Sequence, residues 1–426
     1  MTILIENALI IPMTGKGKEK KGSILIEDGK IKEIGKIGCV KCDRRINAER
    51  MIALPGLVNA HTHLSMGLMR NYKDSSPNLQ EWLSEIFPIE DKLNGNDIYQ
   101  ASRLGIVELI KSGCTCFEDM YFQSENTARA VKEAGIRGVL GLTLFGDGKE
   151  TERRFSELLP KVLEEAGSCG KIRVDIAPHA IYTCTADTYR LAREKADQMH
   201  TLLNTHISET KKEVEDSLKE FGKTPLSYLD SLGVLSGPTL LAHGVHLTDE
   251  ELEVAREKKA SVVHNPSSNA KLASGTLDVP RLIEKGVNVS LGTDGASSNN
   301  NLDMMEEMHV TALIQTSHNL TPMKLTPYEI LEMATAKGAK ALMLDEKIGT
   351  LEEGKDADLI LIRTDRANMT PLNDPYSALV YSASSEDVDT VISGGQVLME
   401  NRELTTLDEE EITRKVNEAW SDILKR

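Results

Sequence analysis

The chain has 426 residues, 40% hydrophobic and 27% charged, the balance of an ordinary globular protein long enough for one large α/β domain and a smaller companion. A formal net charge of −16 with no basic stripe argues against a nucleic-acid binder, and apolar runs of only a few residues exclude a membrane span. Six cysteines over this length suggest no disulfide framework, and the N-terminus lacks a signal-peptide pattern, so a reduced, cytoplasmic protein is predicted.

Residues 1–54 alternate like strands. TILIENALII is followed by SILIEDGKIKEIG, in which Asp28-Gly29 is a two-residue hairpin signal. Cys39 and Cys42 in CVKC have the spacing of half a zinc site, but no second CxxC follows and the pair is read as inert. From Pro55 short apolar runs alternate with helical stretches. DIYQASRLGIVELIKSG predicts a helix capped by Asn96 or Asp97 and stopped at Gly113. Counting from LVNA to VSLG gives eight strands, most separated by helices, which fits a (β/α)8 barrel over residues 55–345. The alternative, a doubly wound open sheet, lacks the glycine-rich turn of a dinucleotide site. Residues 346–405 turn β-like again and are expected to pair with the N-terminal strands in a small composite β-sandwich domain. Residues 406–426 hold a last amphipathic helix, from about Asp408 to Leu424.

The strand ends carry the chemistry. The first strand ends in NAHTH, with His61 and His63 two residues apart. Along a strand such a pair shares one face and its rings can converge, although two loop histidines would read the same way. The second ends in Glu118-Asp119, the fourth in His179, the fifth in His206, the sixth in His243, the seventh in His264-Asn265 and the eighth in Asp294. In a barrel these ends ring one mouth, so six of the ten histidines would meet there. Imidazoles with one carboxylate suit a borderline divalent ion, zinc or iron(II). His61, His63, His206 and Asp294 are the expected ligands, leaving a position for water. Cys114 and Cys116 read as buried strand residues, and Cys184 falls in the loop after His179, near the pocket. His200, His246, His309 and His318 read as structural.

The HxH of NAHTH, with THISE, LAHGVHL, VVHNPSSNAKL and LGTDGASSNN, resembles the metal-dependent amidohydrolase superfamily in order and spacing over nearly the whole chain. APHAIY has no lysine that could bridge two metals, which resembles the mononuclear deaminase branch. Together with EWLSEIFPIE it looks like the 5′-methylthioadenosine/S-adenosylhomocysteine deaminases. The resemblance implies one metal per chain on His61, His63, His206 and Asp294. It implies Glu209 as the proton shuttle to the purine, His243 polarising the attacking water, and Asp294 as general base. Glu90 and His179 would face the ribose, Trp82 would wall the pocket, and Arg154 would lie near the 5′ substituent. Where some relatives carry a second arginine on the third strand, this chain has Leu142. A small-molecule nucleoside substrate and a homo-oligomer, dimer or tetramer, are expected with no nucleic-acid or membrane partner. Two alternatives stay open: a deaminase or chlorohydrolase of another aromatic amine, such as guanine or a triazine, and a catalytically dead scaffold barrel.

Overall fold

The structure is a computed structural model that describes residues 1–75 and 79–426. Eight parallel strands stand in chain order around one sheet: Leu57–Thr62, Cys114–Tyr121, Arg137–Leu144, Ile172–Pro178, Leu203–Ile207, Thr239–His243, Ser261–His264 and Asn288–Leu291. They read as short β-branched and apolar runs because both faces are covered, the outer one by helices. The seam between the first and eighth strands is closed by polar groups. Asp294 N donates to His61 O at 3.0 Å, and Asn59 bridges to Thr293, its Nδ2 reaching Oγ1 at 2.7 Å. The two strands that carry the expected ligands are thereby fixed to each other.

The early residues of the strands make an apolar plug. Val58, Cys116, Val139 and Leu240 form one buried cluster with Leu342, Leu344 and Ile348, which fills the end of the barrel away from the histidines. Of the helix expected over 97–113, the observed span is Gly95–Lys111, and its cap is Asn94 instead of Asn96 or Asp97. Asn94 Oδ1 accepts from the amides of Asn96 and Asp97, and the Asp97 carboxylate accepts from Asn94 N, a reciprocal capping box that the sequence reading placed two residues late.

Both chain ends build a second, nine-stranded sheet. Met51–Pro55 pairs antiparallel with Leu359–Arg363, joining the N-terminal strands to Val388–Ser393 and Gln396–Glu400. Ile24, Ile26, Leu359, Leu361 and Ile392 share one buried core, so the sheet packs on itself. The Asp28-Gly29 hairpin is present, with Glu27 opposite Lys30 and both turn residues at positive φ. This sheet is pinned to the barrel by Arg137, whose Nη2 lies 3.2 Å from Asp358 Oδ1 and 3.0 Å from Asp356 Oδ2. The last helix, Glu409–Ile423, packs on the barrel side through Arg103–Glu411 at 2.8 Å and the Tyr72–Trp420 ring contact.

Candidate active site

The C-terminal ends of the first, fifth, sixth and eighth strands bring His61, His63, His206, His243 and Asp294 together. Two overlapping trios, His61–His63–Asp294 and His61–His206–His243, each hold ligand atoms within 4.8 Å of one another. His63 Nδ1 lies 2.6 Å from Met120 O and His206 Nδ1 lies 2.8 Å from His179 O. A carbonyl can only accept, so each Nδ1 carries the hydrogen, and in the neutral ring each Nε2 is left with its lone pair. Those two Nε2 atoms stand 3.2 Å apart, and with both rings neutral neither can donate to the other. His61 is fully buried, and among the described residues neither of its nitrogens has a hydrogen-bond partner. Its Nδ1 sits 3.4 Å from Glu118 Oε2, the kind of outer carboxylate that orients a metal-bound imidazole.

Asp294 Oδ1 lies 3.2 Å from His63 Nε2 and 3.9 Å from His61 Nε2. Its other oxygen accepts from Ser268 Oγ at 2.6 Å. The carboxylate calls for positive charge at this point: burial works to lower the His63 pKa, yet the hydrogen bond and charge of Asp294 raise it to about 9. A divalent cation meets the same demand without protonating a ligand. The donor set and its orphaned lone pairs therefore fit a metal.

His243 is oriented differently. With the amide nitrogens of Asn269 and Asn265 turned toward its Nδ1, at 2.9 and 3.3 Å, the hydrogen belongs on Nε2. That hydrogen faces Glu209 Oε2, 3.9 Å away, which suits a donor better than a ligand. Glu209 is buried, accepts from Ser274 Oγ at 3.0 Å, and has its pKa raised, chiefly by burial.

One cavity opens on this cluster, and Trp82, Glu90, His179, Glu209 and His243 line it beside His63, His206 and Asp294. Glu90 closes the helix Leu79–Glu90 and accepts from Tyr121 OH at 2.6 Å; burial pushes its carboxyl up to about 7, against the pull of that hydrogen bond. His179 donates to or accepts from Thr183 Oγ1 at 2.9 Å and stacks on Phe145 at 4.8 Å. Arg154 is not in this cavity. It lines a second one that shares Glu90, Tyr121 and Phe145 with the first, along with Leu142. There its Nε pairs with Glu150 at 2.8 Å and its Nη1 donates to Thr143 O at 2.9 Å.

Three other expectations are corrected or refined by contacts. His264 is buried and falls in neither of the two ligand trios, so the strand-end rule took in one histidine too many. Its neighbour Asn265 reaches the site through His243. Cys184 is turned away, its Sγ donating to Leu144 O at 3.2 Å. His246 holds Ser274 O through Nε2 at 2.7 Å, a supporting contact one step removed from Glu209. Sequence reasoning missed Tyr121, Phe145, Glu213, Ser268 and Ser274. Only Ser268 lay within a motif already singled out, VVHNPSSNAKL, and a loop serine there reads as a turn residue.

Residues 52–398 match the profile of the Amidohydrolase family. A 5-methylthioadenosine/S-adenosylhomocysteine deaminase from Syntrophomonas wolfei is 45% identical, covering 98% of each chain. A 5′-deoxyadenosine deaminase from Methanobrevibacter smithii is also 45% identical, over 99% of this chain and 98% of its own. Among solved structures, an adenosine deaminase from Xanthomonas campestris with bound zinc superposes with a TM-score of 0.95 at 30% identity, over 100% of this chain and 99% of that one. An atrazine chlorohydrolase from Arthrobacter aurescens complexed with zinc gives 0.92 at 25% identity, over 98% of this chain and 100% of that one.

Proposed function

The chain belongs to the amidohydrolase family, and from that premise we infer that it is a hydrolytic deaminase of adenosines modified at the 5′ position. The products are the inosine analogue and ammonia. One observation carries the reading. A single cavity holds a histidine–aspartate cluster with bare lone pairs, a buried carboxyl at Glu209 and a second buried carboxyl at Glu90.

His61, His63, His206 and Asp294 would hold one divalent ion, zinc by preference and iron(II) as the alternative. Such an ion would lower the pKa of water toward about 7 and so supply the nucleophile at neutral pH. The protein's groups do the rest. Glu209, whose carboxyl holds its proton more tightly because it is buried, delivers a proton to N1 of the purine, which draws electrons from C6. His243 donates through Nε2 toward the attacking oxygen. Asp294 takes the proton released as the C6–O bond forms and returns it to the departing ammonia. Glu90 accepts from the ribose hydroxyls, His179 faces the sugar, and Trp82 walls the base. Arg154 lies toward the 5′ substituent, already occupied by Glu150 and Thr143.

We also propose a cytoplasmic homo-oligomer acting on small-molecule nucleosides. No described helix is long and apolar enough to cross a membrane, and the cysteines are free. The test is a panel of 5′-deoxyadenosine, methylthioadenosine, S-adenosylhomocysteine, adenosine, guanine and a chlorinated triazine, followed by ultraviolet absorbance. Turnover of guanine or triazine with none of the nucleosides would overturn the assignment.

A further inference from the structure

The turn that carries Glu209 into the cavity is held from outside it. Ser208, just before Glu209, has φ +48°, the left-handed region in which a non-glycine residue is strained. Successive amides in such a turn form a cradle for an anion. Here the chain fills its own cradle. Glu213 Oε1 accepts from Ser208 N at 2.8 Å, and Glu213 Oε2 accepts from Glu209 N at 2.8 Å. Glu213 is the third residue of the helix Lys211–Phe221, whose cap Thr210 accepts from Glu213 N at 3.1 Å. In an ordinary capping box the third-position carboxylate reaches back to the cap residue's own amide. This one reaches one and two residues further, onto the turn, with only 6% of the residue exposed.

We propose that Glu213 is a positioning residue for proton transfer: its carboxylate clamps the Ser208–Glu209 turn and so fixes the Glu209 carboxyl against the substrate. The inference rests on the reading of Glu209 as the proton carrier. Ser274 Oγ holds the far end of the same side chain, so Glu209 is tethered at both its backbone and its carboxyl. Releasing the backbone tether leaves the carboxyl on a turn that can relax toward an unstrained φ. A displacement of about 1 Å in a reacting group costs on the order of a hundredfold in rate.

Glu213→Gln tests this. Glutamine keeps the size but must turn an N–H toward one of two N–H donors, so one half of the clamp opens. The expected result is a kcat lowered about ten- to a hundredfold, with KM for 5′-deoxyadenosine within about twofold and metal content unchanged. In a Glu209→Gln background the same substitution should cost less than about twofold more, because its effect runs through the missing carboxyl. An equal loss in both backgrounds would mean a merely structural role and overturn the proposal. Loss of metal would overturn it too, by moving the effect to His206. A wild-type kcat for Glu213→Gln beside a crippled Glu209→Gln refutes the positioning role alone, whereas an active Glu209→Gln removes the reading of Glu209 and the proposal with it. If Glu213→Gln does not fold, Glu213→Asp, a methylene too short to span both amides, runs the same cycle.

Discussion

Replacing Glu209 with glutamine separates the proton from the shape. The side chain is 5% exposed, and its carboxyl is raised above its ordinary pKa chiefly by burial. Glutamine fills the same volume, and its Oε1 still accepts from Ser274, 3.0 Å away in the native site. What disappears is a proton that can be handed to N1 and recovered. General acid–base contributions run to about 10²–10⁴-fold, which at about 1.36 kcal/mol per decade is about 2.7–5.4 kcal/mol of transition-state stabilisation. The upper half of that range is expected, because the other titratable donor facing this carboxyl is His243, and its Nε2 stands 3.9 Å from Glu209 Oε2. The assay is the fall in adenine absorbance with 5′-deoxyadenosine, run beside metal analysis of the same preparation. Near-wild-type kcat with metal bound would refute the argument, and His243 would become the first candidate for the shuttle.

His61→Ala and Asp294→Ala should each abolish turnover and reduce bound metal below one per chain while unfolding stays cooperative; full activity in a metal-free preparation would sink the ligand assignment. The kcat/KM of S-adenosylhomocysteine should exceed that of 5′-deoxyadenosine by less than a thousandfold, a ratio worth about 4 kcal/mol, because Arg154 is already paired with Glu150 and Thr143 O. Free adenine should not react, having lost every contact to Glu90 and His179. Burial raises the Glu307 carboxyl from an ordinary 4.5 to about 8, so the folded chain keeps a proton that the unfolded chain releases. Stability should therefore fall as pH rises from about 4.5 to about 8, and Glu307→Gln should flatten that decline in the unfolding midpoint; an unchanged slope would show that another group carries it.

The barrel and the metal cluster were legible because they rest on residue types whose position repeats. Polar residues closing one apolar run after another put His61, His63, His206, His243 and Asp294 on one mouth. The same rule over-reached at His264, where a strand end alone does not say which way a ring points. Residues that only support the site's carboxyls left no such mark. Glu213 reads as an ordinary first-turn acid, Ser274 as a loop serine, and Tyr121 as the last apolar residue of a strand. The Tyr121 and Ser274 roles come from hydrogen bonds between segments 31 and 65 residues apart, and that of Glu213 from a turn whose shape the sequence does not show. Arg154 lines the neighbouring cavity, and sequence does not show that Glu150 and Thr143 O had already claimed it.

The two ends of the barrel also bear on the idea of a dead scaffold. At one end Val58, Cys116, Val139 and Leu240 pack with Leu342, Leu344 and Ile348, and the polar pair beside them, Arg173 and Asp175, is matched, with Arg173 also donating to Leu342 O. At the other, both nitrogens of the fully buried His61 lack hydrogen-bond partners among the described residues. An unsatisfied buried polar group costs about 1–3 kcal/mol, and replacing such groups with apolar ones of similar size is often neutral or stabilising. Stability alone would not gather imidazoles without partners at the second end. Those costs make sense only if something else completes the polar shell, and the bare Nε2 lone pairs of His63 and His206, 3.2 Å apart, say that it carries positive charge. A barrel kept only for its shape has no use for such a site; a deaminase does.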